Sequence, residues 1–325
     1  MKRVIKFYEV FDEEEAAIRK HLKSKFKASF TKKTIQESKD KAPAGPIICV
    51  RTQSVIPSAW AKSLEAIFTR SQGFDHLRQY LHQTQASIEC GYLGSYCAKA
   101  VAEQAVLMSL MLLRKIKTQL RNFDSFHRNG MTGYECQNKN AFVVGVGGVG
   151  KEIVQMSCAL GMNVRGNDPM KNNKKIEYTS LNKGIKWANV IFCAADLNSS
   201  SKNLLNYRML SRSKPGTILV NVSRGEITPI GDLKRLLDQK ILGGIALDVF
   251  PEESELADYL HQRTGKITGT IKIALELKAR DNVIFTPHNA FNTREALERK
   301  ARETIRALEY YLKHEHFPNR LENKF

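Results

Sequence analysis

Short apolar runs alternate with amphipathic stretches along the first 100 residues. Residues 3–8, 47–51, 66–70 and 86–90 read as strands, and residues 12–22, 57–65 and 75–83 as helices. Asp12 can cap the first helix, which puts Glu13, Glu14 and Glu15 near the positive end of its dipole. This alternation predicts a small parallel sheet with helices on both faces. Residues 98–117 follow as one long helical pattern, apolar in its middle. The polar stretch 118–140, with Gly130 and Gly133, reads as a loop or an interface arm.

A second sheet begins abruptly at Ala141-Phe142-Val143-Val144-Gly145, a buried strand running into a glycine loop. Further short strands are expected at 164–167, 190–193, 217–221, 244–247 and 283–285, with helical patterns such as 151–160 and 230–242 between them. That is the pattern of a doubly wound parallel sheet. The last helix, 293–313, carries Leu297, Ala301, Ile305, Leu308 and Leu312 on one face. It is expected to return to the first domain. The fold expected is α/β, with two Rossmann- or flavodoxin-like parallel-sheet domains and a cleft between them. Residues 1–100 and 290–325 would form one discontinuous domain, and residues 101–289 the other.

Composition narrows the class. At 42% hydrophobic and 26% charged, the 325-residue chain is built like an ordinary globular protein. The apolar run 105–113 is too short to span a bilayer. The first eight residues are too charged for a signal peptide, so no membrane association is expected and the cytoplasm is the default. Six cysteines are scattered without a CxxC pair and read as buried reduced thiols, with no metal site. The formal net charge of +18 is spread along the whole chain. Without a basic arm or an aromatic-laced stripe, it does not point to nucleic acid. Such a field attracts small anions and dinucleotides.

Gly145, Gly147 and Gly150 fit GxGxxG, with Gly148 and Val149 completing the loop. The first glycine makes the tight turn, the second admits a pyrophosphate, and the third lets helix and strand pack closely. Asp168 ends the next strand, 23 residues after Gly145. It can accept hydrogen bonds from ribose hydroxyls, and its charge repels a 2′-phosphate, which favours NAD over NADP. Arg165 and Lys171 nearby leave NADP open.

Three further side chains suit a 2-oxo acid. Arg224 lies just past a strand's carboxyl end, the edge that lines the ligand crevice of an open α/β sheet. Its planar fork can hold a carboxylate bidentately. His288, again just past a strand, becomes a credible general acid when paired with a carboxylate that stabilises the imidazolium. Glu252 and Glu253 both qualify as that partner, and the residue types alone do not separate them.

The chain resembles the D-isomer-specific 2-hydroxy acid dehydrogenase family. The resemblance runs over nearly the whole chain, through residues 70–75, 100–104, the glycine loop with Asp168, 220–225, 246–250 and 286–288. The stretch 286–293, with Phe291 after His288, looks most like the D-lactate dehydrogenase branch. The resemblance implies Arg224 as carboxylate anchor, His288 as acid/base and Glu253, five residues after Asp248, as its partner. It further implies that Ser71, Gln72 and Gly73 hold the substrate carboxylate through backbone N–H groups. Tyr96 and Phe291 would contact substrate, and Ala194 would begin the adenine-side loop. A homodimer built on the long helix and the arm is also implied. Ser254, Gln104 and Asp196 depart from residues usual in the family, and residues 254–281 are longer than in many members. These departures bear on loop geometry and substrate choice.

The activity expected is NAD-dependent interconversion of a small 2-oxo acid, pyruvate first, and its D-2-hydroxy acid. Two alternatives keep the same motifs: an NAD(H)-sensing binding protein of the corepressor kind, and a catalytically impaired paralogue.

Overall fold

The computed structural model describes residues 3–22, 26–174, 176–262 and 267–321. The two densest runs of Lys and Arg, at 20–33 and 171–175, fall partly outside the described residues. The chain divides into two compact units, residues 1–97 with 292–325 and residues 98–291.

The first unit begins β1 (Val4–Phe7), α1 (Asp12–His21), β2 (Lys27–Phe30), α2 (Ile35–Ser38), β3 (Ile47–Val50), β4 (Ala66–Thr69), α3 (Asp75–Thr84) and β5 (Glu89–Tyr92). Its five strands are all parallel, in the order β2-β1-β3-β4-β5. That is the flavodoxin-like order, with its switch point between β1 and β3. β3 and β4 are buried at every position, as central parallel strands should be.

Three expectations need correction here. β2 was not foreseen, because this exposed edge strand alternates only weakly. Residues 58–62 form a 3-10 turn instead of an α-helix; Trp60 is their one buried side chain, too little to support more than a turn. β5 lies later than predicted, where Gly91 packs against Phe317 so closely that a Cβ would come within 2.3 Å of the ring.

The second unit contains α4 (Ala98–Leu113), α5 (Ile116–Asn122), β6 (Asn140–Val144), α6 (Gly148–Ala159), β7 (Asn163–Asn167), β8 (Glu177–Tyr178), α7 (Leu181–Trp187) and β9 (Val190–Cys193). It continues through α8 (Tyr207–Leu210), β10 (Thr217–Asn221), α9 (Ile230–Asp238), β11 (Leu242–Leu247), α10 (Glu253–Gln262), α11 (Gly269–Lys278) and β12 (Val283–Phe285). Its seven strands are parallel, in the order β12-β11-β10-β9-β6-β7-β8. Counted from β6, this is the dinucleotide-binding order with one strand added, and the switch point lies between β6 and β9. Phe142, Ile191, Leu219, Ile245 and Leu233 anchor one core on this sheet.

The long helix predicted over 98–117 is broken. Lys115 takes a left-handed φ of 52°, and the N–H of Tyr134 bonds the carbonyl of Leu113 at 2.8 Å, capping α4 from a later part of the chain. The segment expected to be a loop therefore starts with α5. The extra length at 254–281 folds largely as α10 and α11. Thr268 caps α11, which buries Ile271, Ala274 and Leu277. Four cysteines are buried as expected, but Cys158 is exposed on α6. No helix of the described residues is long and apolar enough to cross a membrane.

The chain closes with α12 (Arg294–His314), which packs on α1 within the first unit. There Glu14, Arg70 and Lys300 are fully buried together. Arg70 Nε donates to Glu14 Oε1 at 3.0 Å, and Lys300 Nζ lies 2.5 Å from the same oxygen. The Arg70 guanidinium also donates to the carbonyls of Tyr8 and Cys49, at the carboxyl ends of β1 and β3.

Candidate active site

Gly145 turns the chain out of β6 with φ +85°, where a Cβ would lie 2.5 Å from the backbone of Ala195. The turn is thus wedged against the segment that leaves β9, at the switch point. At Gly150 a Cβ would lie 2.0 Å from the carbonyl oxygen of Gly145, so α6 could not sit so close to its strand. Gly147 differs: a Cβ there would meet nothing within 4 Å. The opening borders the first turn of α6, where Gly148, Val149 and Gly150 carry N–H groups that a helix leaves without internal acceptors. Such a helix end suits a pyrophosphate.

Asp168 is tied to this loop. Its Oδ2 accepts the N–H of Val146 and its Oδ1 that of Met170, both at 2.7 Å. Each oxygen keeps acceptor capacity for a ribose hydroxyl. Arg165 is engaged elsewhere, bonded to Glu177 at 2.9 Å and stacked on Trp187 at 4.5 Å. Ala194 continues β9, its N–H bonded to Val144 at 2.8 Å, and the carbonyl of Ala195 accepts the hydroxyl of Ser223.

Arg224 follows β10 and is half-buried, its Nη1 donating to the carbonyl of Ser223 at 2.8 Å. Buried Asn221 shapes this turn. Its amide donates to Arg224 O and Thr228 Oγ1, and its oxygen accepts from Ser223 N–H. Gly225 lies backbone to backbone on the next loop, where a Cβ would stand 2.0 Å from the carbonyl carbon of Phe250. The turn carrying Arg224 therefore rests directly on the loop leading to Glu253.

His288 follows β12 and takes a left-handed φ of 50°. Its Nδ1 lies 2.6 Å from Glu253 Oε1, and about a quarter of each side chain is exposed. Glu252 points elsewhere, accepting from the hydroxyls of Thr268 and Thr270 at 2.7 and 3.2 Å. Buried Asp248 fixes the turn beneath His288. It accepts from Thr286 Oγ1 at 2.5 Å and from the N–H groups of Asn289 and Ala290 at 2.9 and 3.0 Å. Burial raises its carboxyl pKa despite these donors.

The other candidates are split between the units. Phe291 is buried at the end of the second. In the first, Ser71 bonds the carbonyl of Gly73 at 2.7 Å and shares a 2.6 Å contact with Thr69, while its own carbonyl accepts from Leu93 N–H. Gln72 and Gly73 are half-buried in the same turn. Tyr96 is buried, which pushes its phenol pKa well up. Arg299 Nε holds its carbonyl at 2.8 Å. Asn221, Asp248 and Gly225 are not among the residues expected from the sequence to form the site. The signal for the first two was a polar residue closing an apolar strand.

The chain as a whole is similar to known proteins. The family model described as D-isomer specific 2-hydroxyacid dehydrogenase, NAD binding domain, matches residues 105–290. D-lactate dehydrogenase of Escherichia coli is 31% identical over 234 residues, 70% of each chain. D-lactate dehydrogenase kk1H of Curvularia clavata is 28% identical over 265 residues, 80% of this chain and 75% of its own. Among solved structures, D-lactate dehydrogenase from Aquifex aeolicus, complexed with NAD and lactic acid, superposes with a TM-score of 0.84 at 26% identity, covering 95% of each chain.

Proposed function

The chain belongs to the D-isomer specific 2-hydroxyacid dehydrogenases, a family of NAD-dependent oxidoreductases, and on that premise we propose that it interconverts a small 2-oxo acid and its D-2-hydroxy acid, with pyruvate the first candidate. The 2.6 Å contact between Glu253 and His288, beside the turn that carries Arg224, is the observation that carries this reading. With Nδ1 engaged by Glu253, Nε2 is the nitrogen left to exchange a proton with the substrate oxygen. Glu253 orients the ring and stabilises the imidazolium before the proton is given up. Arg224 takes the substrate carboxylate in its planar fork, which fixes the carbonyl between the donor and the cofactor. Residues 145–150 and Asp168 would hold NAD, which supplies or accepts the hydride. Ser71, Gln72, Gly73, Tyr96 and Phe291 complete the substrate set in this reading, and the first unit is the substrate domain.

A homodimer belongs to the same reading. Leu120, Phe123, Phe126 and Tyr134, all on the arm, are each more than 60% exposed, a patch that suits burial against a second copy. Sedimentation of the purified chain as a monomer would remove that part.

Loss of NADH absorbance with pyruvate, hydroxypyruvate, glyoxylate, 2-oxoisocaproate and phenylpyruvate tests the activity. Turnover well above background with one or two of them is expected. Tight NADH binding without turnover of any would overturn the proposal.

A further inference from the structure

A cavity of about 530 Å³ opens beside the sheet edge of the first unit. α12 forms one wall, and residues 92–96 with Pro318 and Asn319 form the other. Arg299, Arg302 and Arg306 line it from one face of the helix, as their spacing of three and four requires. Among the described residues Glu303 is the one acid in the lining, so three guanidinium groups stand there against one carboxylate, a net charge of two. Of the residues assigned to substrate above, Tyr96 is in its lining, and Ser71, Gln72, Gly73 and Phe291 are not.

The cations are held loosely. Glu303 Oε1 accepts from Arg302 Nε at 3.2 Å and from Arg306 Nη1 at 3.1 Å, with side-chain exposures of 42% and 65% for the two arginines. Pairs so exposed contribute little, and an incoming anion can compete for the same N–H groups. Arg299 is different: its bond to the carbonyl of Tyr96 makes it part of the wall. The volume lies in the range of small-molecule sites, and the lining includes Tyr92, whose ring packs on Phe74, and Tyr310, whose ring packs on His314 and His316.

We propose that this cavity binds a small phosphorylated molecule, its phosphoryl group on Arg302 and Arg306 and its flat body against Tyr92 and Tyr310. A phosphate dianion balances the two net charges, and guanidinium forks from adjacent turns match its oxygens. A monocarboxylate would leave one charge unbalanced.

Calorimetry tests this on the full chain saturated with NADH, which closes the cofactor site to other phosphates. AMP and inorganic phosphate are the probes. Saturable binding of AMP, tighter than that of inorganic phosphate, is expected. The Arg302→Gln/Arg306→Gln double variant should weaken AMP about tenfold or more. Glu303→Gln should tighten it about threefold, because a competing acceptor is lost; damage to the fold cannot produce a gain. Absence of binding by either probe, equal affinity in the wild type and the double variant, or weakening by Glu303→Gln would each overturn the site. Equal affinity for AMP and phosphate would overturn the role given to the tyrosines.

Discussion

In the second unit Glu253 and His288 meet at 2.6 Å with about a quarter of each side chain exposed. In the first, Glu14, Arg70 and Lys300 meet at similar distances with none of the three exposed. Both join an acid to a base, yet the first is open to a bound molecule and the second is sealed. The sealed cluster holds elements together: α1 through Glu14, β4 through Arg70 and α12 through Lys300. Arg70 goes further and bonds the carbonyls that end β1 and β3. Exposure, more than residue type or distance, separates the two roles.

Replacing one member of each cluster should therefore have opposite consequences. His288→Ala is expected to lower kcat by about 10²–10⁴, with the melting temperature and NADH binding little changed. Near-normal turnover would remove His288 from the proton transfer. Glu253→Gln should follow the same pattern with a smaller loss, because the ring keeps a hydrogen-bonding neighbour.

Glu14→Gln should do the reverse. It leaves Arg70 buried without its anion and lets Lys300, whose pKa burial already lowers to about 7, give up its proton, a loss of about 3–5 kcal/mol, or roughly 10 °C in melting temperature. Turnover per folded molecule should hardly change, and a large fall in kcat at full folding would break the contrast. The same residue predicts an acid limb of stability. Burial alone would raise the carboxyl pKa of Glu14, but Arg70 and then Lys300 outweigh it and bring the folded value from 4.5 down to about 2. Because the folded value is the lower one, this stabilisation is fully present above pH 4.5 and disappears as pH falls towards about 2. Stability measured against pH should lose that limb in Glu14→Gln.

The two clusters also differ in how far they could be read from the chain. The glycine loop was legible because two of its glycines answer a backbone constraint, the positive φ at Gly145 and the contact of Gly150 with the carbonyl of Gly145. Strand-end positions made Arg224 and His288 candidates in the same way. Residue types left Glu252 and Glu253 level, and what separates them in space is that Glu252 turns to Thr268 and Thr270 in the longer segment. The buried cluster had no such signal. Arg70 lies 56 residues from Glu14, and Glu14 sat among three other acids that the helix dipole already explained. The break after α4 was hidden for a related reason, since its cause is an N–H donated by Tyr134. Local periodicity reports what a segment does for its own helix or strand. It does not report what a distant segment does to it.

Asp168 lies between these extremes and gives the smallest expected effect. Its carboxylate braces the glycine loop, one oxygen on Val146 N–H and the other on Met170 N–H, and it is also the proposed ribose acceptor. If it were purely structural, Asp168→Ala would weaken NADH and NADPH equally, through a looser glycine loop. If it also meets the ribose, the substitution removes both an acceptor for the 2′-hydroxyl and a charge that repels a 2′-phosphate, so NADH weakens more than NADPH. A change of about tenfold in the NADH/NADPH ratio of kcat/KM corresponds to about 1.4 kcal/mol, the size of one hydrogen bond to a charged group. Asp168→Asn sharpens the test. It keeps an oxygen for one of the two N–H groups and discards the charge, so a shift in the ratio with little change in melting temperature would isolate the electrostatic part. An unchanged ratio in both variants would reduce Asp168 to a brace for the loop.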